Sequence, residues 1–169
     1  RVSPVTRTHV KEEFGKKIKY IIEGGLSKIG LESTIINLTG KPEILRIGSI
    51  DINKLSKALK KKLLYRKKTY MKVPGQNRLH YSPGIPLRMN CKEASLDEAF
   101  ILVKKRNNSN KNFFYLSKNK NLKEAARNLY SVLRMIKKKG YKKIAVEKIE
   151  NKGIGLAIND RLQKASSKK

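Results

Sequence analysis

Two polar side chains, separated by one short stretch of chain, have the chemistry to hold a small anionic molecule. Ser33 carries a hydroxyl, and Arg46 carries a guanidinium whose paired N–H groups match carboxylate and phosphate oxygens. Thr34 adds a second hydroxyl directly after the first. Together these residue types predict a pocket for a small, polar, anionic ligand.

The element that must position these side chains is a β-hairpin within residues 30–49. Residues 34–38 and 43–46 form two apolar, β-rich runs around a Gly-Lys-Pro turn, which predicts an antiparallel pair of strands. Such a hairpin places the Ser33 hydroxyl and the Arg46 guanidinium near the same rim of a sheet. An ordinary hairpin with a surface arginine is the alternative interpretation.

The flanking segments predict part of an α/β unit over residues 1–62. Thr6 is a suitable cap for a helix that ends near Gly15 and turns Val10 and Phe14 toward a core. Residues 18–22 predict a short strand. Asp51 then precedes apolar residues at helical spacing, namely Ile52, Leu55, Leu59 and Leu63. These elements are too few to close a core by themselves.

Residues 63–86 predict a linker. Within them, residues 73–84 contain two prolines and two glycines and show no periodicity. The adjacent His80 and Tyr81 offer hydrogen bonds and a ring for stacking, which a simple spacer would not need. The alternative is that the aromatic ring only anchors the linker on a neighbouring domain.

Residues 87–166 predict a small, open, Rossmann-like α/β domain. Residues 87–90, 99–103, 113–116 and 141–146 have the character of strands, and 107–111 form a polar loop. A continuous apolar stripe predicts a helix over 122–138. Gly153-Ile154-Gly155 precedes a final helix, and because a third glycine is missing, a tight turn is favoured over a phosphate site.

The charge raises a nucleic-acid hypothesis, since the net charge is +28. The basic residues are densest at 57–72, with further runs at 118–123, 137–139 and 164–169. Aromatic residues are not interleaved with them, and a lysine-biased composition gives the same charge without a specific partner. The charge therefore indicates affinity for RNA or other polyanions, without sequence reading.

The remaining composition excludes several classes of protein. The single cysteine, Cys91, excludes an intrachain disulfide framework and fits a reducing compartment. With only His9 and His80 beside it, no metal-ligand cluster can be identified. No apolar run approaches the roughly 20 residues of a membrane span. The first ten residues also lack the apolar stretch of a signal peptide.

Five motifs, in order along the chain, resemble one family. They are Ser-Pro-Val-Thr-x-x-His-Val at 3–10, Gly-Leu-Glu-Ser-Thr-Ile-Ile-Asn at 30–37, Ile-Leu-Arg-Ile-Gly at 44–48, Pro-Gly-x-x-x-x-His-Tyr-Ser-Pro at 74–83 and Gly-Ile-Gly-Leu-Ala-Ile-Asn-Asp-Arg-Leu at 153–162. Together they resemble the long-form threonylcarbamoyl-AMP synthases. The resemblance implies a YrdC-like twisted-sheet catalytic domain, of which residues 1–62 are the C-terminal part, then the linker and a C-terminal α/β domain.

The resemblance implies a nucleotidyltransferase that converts L-threonine, bicarbonate and ATP to threonylcarbamoyl-AMP and pyrophosphate. In such an enzyme ATP is a substrate, with Mg²⁺ as its counter-ion and no protein ligands identifiable. The product serves a separate transfer complex that modifies tRNA in the cytoplasm. An alternative is a non-catalytic, basic RNA-binding or adaptor protein that kept the C-terminal domain.

The resemblance also implies roles for individual residues. Ser33 would hold L-threonine, and Val5, Arg46 and Tyr81 would bind ATP, with Tyr81 folding over the pocket to shield the labile carbamate from water. The resemblance implies three further site residues, namely Ser3, Thr34 and His80. The alternative role for His80 is to fix the linker in place.

The chain departs from the family pattern in three places. Asn37 stands where aspartate is usual, Ile47 and Ser49 replace residues of an Arg-Pro-Gly-Gly run, and Asn77 and Leu79 replace basic residues of the linker, where Arg78 can substitute for one. The chain also starts with Arg1, so we expect the family's Lys-x-Arg and Ser-Ala-Asn-x-Ser-Gly segments to lie upstream. On that expectation the chain by itself is catalytically inert and poorly stable over residues 1–62.

Overall fold

The structure is a computed structural model that describes residues 2–65, 73–75, 80–107 and 110–166 of the 169-residue chain. Its helices are α1 (Arg7–Phe14), α2 (Ile52–Leu59), α3 (Leu122–Lys138) and α4 (Ile154–Ser166), with a 3₁₀ turn over Gly15–Lys17. Its strands are β1 (Ile35–Asn37), β2 (Glu43–Arg46), β3 (Leu64–Tyr65), β4 (Leu87–Cys91), β5 (Ala99–Lys104), β6 (Phe113–Ser117) and β7 (Ile144–Glu147).

The first sheet confirms the predicted hairpin and adds one strand to it. β1 and β2 pair antiparallel, with Ile36 opposite Ile44 and Ile35 opposite Arg46. The short β3 pairs in parallel with β2, and the Leu64 N–H donates to the Pro42 carbonyl at 3.1 Å. The segment predicted as a linker thus begins with a strand, because the backbone of Leu64 lies against the exposed edge of β2.

The segment before the hairpin differs in part from its prediction. Thr6 caps α1 as predicted, since its hydroxyl accepts the His9 N–H at 3.2 Å. Phe14, however, is 43% exposed, so the prediction that it faces a core is wrong. The predicted strand at 18–22 is also wrong: Ile22 is 93% exposed, and no described strand lies alongside to complete a ladder.

The helix after the hairpin begins at its predicted cap. The Asp51 carboxylate accepts the N–H groups of Asn53 and Lys54 at 2.8 and 3.2 Å. α2 ends before Leu63, because Lys60 adopts the left-handed conformation with φ of 51°. Leu63 is nevertheless buried, in a small cluster with Ile44, Ile47 and Ala157. Ala157 belongs to α4, so the last helix of the chain closes the core of the first sheet.

The second sheet has the order β4-β7-β5-β6 with all strands parallel, as predicted for a Rossmann-like domain. α3 covers the predicted residues and buries one apolar stripe against this sheet. β7 starts three residues later than predicted, since Tyr141 instead packs its ring edge-on against Phe114. At the start of α4, a Cβ on Gly155 would collide with the Glu150 carbonyl, which confirms a tight turn.

Some sequence predictions fall outside the described residues. These are the contribution of Arg66, Lys67 and Lys68 to the basic run, the linker positions Asn77, Arg78 and Leu79, part of the polar loop at 107–111, and the end of the last basic run. Among the described helices, none is both long enough and apolar enough to cross a membrane.

Candidate functional site

Arg46, at the end of β2, contacts both the start of the hairpin and the predicted linker at the candidate pocket. Its Nη2 donates to the Ser33 hydroxyl at 3.0 Å and its Nε donates to the Ser33 carbonyl at 2.9 Å. Its Nη1 donates to the carbonyl of Pro74, in the predicted linker, at 3.1 Å. The hairpin register explains the first two contacts, because Arg46 lies opposite Ile35, two residues after Ser33. The guanidinium therefore joins the hairpin to the linker.

Tyr81 lies against the same linker turn. Gly75 has φ of 89°, and a Cβ placed on it would collide with the Tyr81 hydroxyl. The same position faces Cδ of Arg46 at 3.4 Å. The Tyr81 side chain is buried, and its hydroxyl has no hydrogen-bond partner among the described residues. Burial raises the pKa of Tyr81, so the hydroxyl keeps its proton and can donate to an acceptor.

His80 supports the Tyr81 ring. The two ring centroids are 4.4 Å apart in an edge-to-face arrangement. Burial lowers the pKa of His80, so the ring is neutral at neutral pH. Its Nδ1 is buried without a partner in the described part of the chain. This geometry fits a residue that fixes the linker and leaves one ring nitrogen for a further contact.

The opening turn reaches the hairpin through Glu32. The Ser3 hydroxyl donates to Glu32 Oε1 at 2.6 Å. The buried Val5 accepts a hydrogen bond at its carbonyl from Ser27 N–H at 3.0 Å, and its own N–H donates to His9 Nδ1 at 3.3 Å. Val5 and Tyr81 belong to the same buried apolar cluster. The structure thus brings the predicted residues of the turn, the hairpin and the linker to one region.

Thr34 also carries an unpartnered polar atom at this place. Its hydroxyl oxygen is buried, lies against the backbone of Gly48, and has no partner among the described residues. Three hydroxyls that can hydrogen-bond to an anion therefore lie in this part of the structure: Ser33 contacts the Arg46 guanidinium, Tyr81 shares the linker turn at Gly75 with the Arg46 side chain, and Thr34 directly follows Ser33. Fixed donors around a cation are suited to stabilise charge on phosphate or carboxylate oxygens.

Three residues of the site were not predicted: Glu32, Tyr130 and Arg161. Arg161, on α4, is 1% exposed and pairs with Glu32 through Nε and Oε2 at 2.9 Å. Its guanidinium carbon lies 4.9 Å from the centroid of the Tyr81 ring. Tyr130, on α3, stacks on Tyr81 and donates its hydroxyl to Glu32 at 2.9 Å. These residues connect the C-terminal domain to both the hairpin and the linker.

The sequence contained one signal for Arg161. The buried positions of α4 include Ala157, Ile158, Leu162 and Ala165, so Arg161 stands inside an apolar stripe. A charged residue in such a stripe must find a partner when it is buried. One partner of Arg161 is local, since Nη1 pairs with Oδ2 of the preceding Asp160 at 2.6 Å. The other partner depends on the folded chain, because Glu32 lies 129 residues away.

The electrostatics of Glu32 follow from these contacts. Burial by itself raises the pKa of a carboxyl group, but the hydrogen bond from Ser3 and the charge of Arg161 outweigh it, and the pKa of Glu32 is lowered. Burial, with the charge of Glu32 second, raises the pKa of Tyr130. Because its pKa is lowered, Glu32 is ionised at neutral pH.

Within the described residues, no group of three or more histidine, cysteine or acidic side chains could hold a metal ion.

Two family models match the chain. Residues 46–167 match the model described as "Threonylcarbamoyl-AMP synthase, C-terminal domain", and residues 1–48 match one described as "Telomere recombination". Two similar relatives are named threonylcarbamoyl-AMP synthase. The one from Pyrococcus abyssi is 32% identical over 97% of this chain and 54% of its own length. The one from Schizosaccharomyces pombe is 30% identical over 99% of this chain and 50% of its own length.

A solved structure agrees with these matches. The crystal structure of P. abyssi Sua5 complexed with L-threonine superposes with a TM-score of 0.83 at 30% identity, over 98% of this chain and 54% of that one. The chain thus spans about half the length of the relatives it matches. Since the C-terminal domain model covers most of the sequence, the chain belongs to the threonylcarbamoyl-AMP synthase family.

Proposed function

We propose that this chain forms part of an L-threonylcarbamoyladenylate synthase, a nucleotidyltransferase that makes threonylcarbamoyl-AMP and pyrophosphate from L-threonine, bicarbonate and ATP. Family membership supports the proposal, together with the L-threonine complexed in the similar P. abyssi crystal structure. The observation that carries it is the contact of Arg46 with Ser33 and Pro74, which gathers hairpin and linker around one guanidinium.

The reaction requires a fixed cation near a phosphate. A carbamate oxygen attacks the α-phosphorus of ATP, the bond to the pyrophosphate oxygen breaks, and negative charge shifts onto the phosphate oxygens. In the proposed roles, Arg46 meets these oxygens and Ser33 hydrogen-bonds to L-threonine. Because Arg46 is already oriented by two carbonyls, little reorganisation is needed when the substrate binds.

The remaining residues border ATP in the proposed site. Val5 and Ser3 form one edge, and Ser3 is held in place by Glu32. The unpartnered hydroxyls of Thr34 and Tyr81 supply further donors. Tyr81 and His80 cover the pocket from the linker and exclude water from the carbamate. Mg²⁺ accompanies ATP as its counter-ion in this proposal.

The cellular context belongs to the same proposal. Threonylcarbamoyl-AMP is a mixed anhydride that must be consumed by a transfer complex acting on tRNA. We place this activity in the cytoplasm, which suits a chain whose single cysteine, Cys91, is a buried free thiol. A second candidate is a non-catalytic, basic RNA-binding or adaptor role, which the net charge of +28 favours.

Pyrophosphate release distinguishes the two candidates. The assay uses the full-length synthase that contains these residues and follows release from ATP with L-threonine and bicarbonate added singly and together. The synthase assignment predicts release only when both are present. Release that is indifferent to either one contradicts the substrate assignment, and no release under any condition favours the non-catalytic role.

A further inference from the structure

A basic cleft opens at the carboxyl end of the second sheet. Its cavity volume is about 730 Å³, and it is lined by the ends of β5 and β7, by the segments that follow β5, β6 and β7, and by Phe113, the first residue of β6. Ligands of open α/β sheets bind at this end of parallel strands, and the volume falls within the range of ligand pockets. Six of the lining residues matter here: Lys104, Lys105, Arg106, Phe113, Lys120 and Lys148.

The charges of the basic cleft are poorly balanced. Five of its lining residues are cationic and one, Glu147, is anionic. Glu147 already has partners, since it binds Arg106 at 2.8 Å through Oε1 and accepts the Val103 N–H at 3.0 Å through Oε2. None of the described acidic residues forms an ion pair with the four lysines. The cleft is therefore a concave surface that attracts anions.

The nearest helix terminus is not available to a nucleotide. The N–H groups of Lys123 and Glu124, at the start of α3, donate to the Asn121 side chain at 2.9 and 3.1 Å. The Glu124 carboxylate accepts the Ser117 hydroxyl at 2.6 Å and places a negative charge at the same end. A Rossmann-type nucleotide site needs free N–H groups there, beside a glycine-rich turn. The cations of the cleft are instead side chains at or just after the carboxyl ends of three strands, β5, β6 and β7.

Spread cations suit a chain of phosphates rather than a single one. A single-stranded nucleic acid carries one negative charge per nucleotide and presents its bases for stacking. Phe113, which is partly exposed and packs in edge-to-face arrangements with Phe100 and Tyr115, supplies an aromatic ring to the lining of the cleft. We propose that the basic cleft binds a single-stranded segment of RNA through its phosphodiester backbone. The cleft shares no lining residue with the pocket at Arg46, so the proposal does not depend on the synthase reaction.

Charge reversal at matched positions tests this proposal. The cleft variant combines Lys104→Glu, Lys105→Glu and Lys148→Glu. The control combines Lys54→Glu, Lys61→Glu and Lys138→Glu, which are exposed lysines that do not line the cleft. Both variants change the net charge equally. Binding is measured by fluorescence anisotropy with a labelled RNA of mixed sequence and about 20 nucleotides, and far-ultraviolet circular dichroism checks that both variants fold.

We expect the cleft variant to raise the Kd at least about 10-fold and the control to change it less than about 3-fold. The logarithm of the binding constant falls as the logarithm of the salt concentration rises. The magnitude of this slope should be smaller by about 2 in the cleft variant, since each lost phosphate contact reduces it by about 0.7. Equal weakening in both variants would assign the affinity to net charge and overturn the proposal. Absence of RNA binding by the unmodified chain would also overturn it.

Two further measurements identify the ligand class. ATP titrated by calorimetry should not bind at the cleft, and a micromolar Kd for ATP that is lost in the cleft variant would replace RNA by a nucleotide. Phe113→Leu keeps an apolar side chain but removes the ring. This variant should bind single-stranded RNA several-fold more weakly than the original chain and bind duplex RNA equally well. If the variant and the original chain bind single-stranded RNA with the same Kd, the stacking contact is contradicted.

Discussion

Arg161 and Glu32 form an ion pair across the junction of the C-terminal domain and the hairpin. Their Nε and Oε2 atoms are 2.9 Å apart, although 129 residues separate them in the chain. The same guanidinium lies over the Tyr81 ring, and the same carboxylate accepts hydrogen bonds from Ser3 and Tyr130. One largely buried pair thus contacts three parts of the candidate site: the opening turn, the residue that precedes Ser33 and the linker.

Removing one partner of this pair should destabilise the chain strongly. Arg161→Met leaves the Glu32 carboxylate without its cation and removes one cation from Asp160. Breaking a fully buried pair costs about 3–5 kcal/mol of unfolding free energy, and because Glu32 is partly exposed we expect a loss at the lower end, about 3 kcal/mol. Urea denaturation followed by circular dichroism measures the change. Glu32→Gln in the same chain should recover part of the loss. A single Arg161→Met variant as stable as the original would contradict the structural role of the pair.

Arg46 is expected to act on the chemical step. In the full-length synthase, Arg46→Ala removes the guanidinium proposed to meet the phosphate oxygens, and kcat for pyrophosphate release should fall at least about 100-fold. Arg46→Lys is the matched control, because it keeps a positive charge but cannot contact Ser33 and Pro74 together. We expect it to recover activity only in part. An alanine variant with unchanged rates would refute the phosphate role.

Ser33 is expected to affect one substrate and not the other. Ser33→Ala removes a hydroxyl that Arg46 orients at 3.0 Å. If this hydroxyl binds L-threonine, the KM for L-threonine should rise about 10-fold, which is the usual scale for losing one hydrogen bond to a charged group. The KM for ATP should change little. Equal increases in both values would show that the residue supports the pocket in general.

Tyr81→Phe separates a structural role from a functional one. The phenylalanine ring keeps the stacking on Tyr130 and the contact with Arg161, and the lost hydroxyl has no partner among the described residues. The unfolding free energy of the chain should therefore stay the same or rise slightly. If the hydroxyl contacts ATP, pyrophosphate release by the full-length synthase should slow. Unchanged release would leave the ring with an anchoring role only.

The acid stability of the C-terminal domain should depend on Glu98. Two hydrogen bonds from Arg88, at 2.9 and 2.7 Å, lower the pKa of the Glu98 carboxyl from 4.5 to about 2. Because the folded pKa lies below the unfolded one, the pair stabilises the fold above pH 4.5 and loses this effect as the pH falls toward 2.

The measurement for Glu98 is the unfolding free energy between pH 7 and pH 2. Glu98→Gln should be less stable than the original chain at pH 7, and the difference should disappear as the pH approaches about 2. Lys143, the other cation near this carboxyl, can be tested in parallel by Lys143→Gln, which should have a smaller effect. A difference that is independent of pH would contradict the assignment.

Local patterns in the sequence predicted the elements whose stability is local. α3 follows from an apolar stripe and an asparagine cap, and the β1–β2 hairpin follows from two β-rich runs around a turn. The proximity of Ser33 to Arg46 follows directly from the hairpin register. The strand prediction at 18–22 was wrong because the stability of a strand is not local. Apolar β-branched residues form a strand only beside a partner strand, and none of the described strands lies beside this segment.

The sequence by itself determined the residue types and their order along the chain, from which Ser33, Arg46 and Tyr81 are predicted as site residues. Only the tertiary structure decided what holds them in place. Glu32 and Arg161 meet because α4 packs against the core of the first sheet through Ala157, and no local periodicity encodes a contact between such distant positions. Burial of a charge requires a partner. The adjacent Asp160 is a partner that the sequence places beside Arg161, whereas the folded chain alone supplies Glu32.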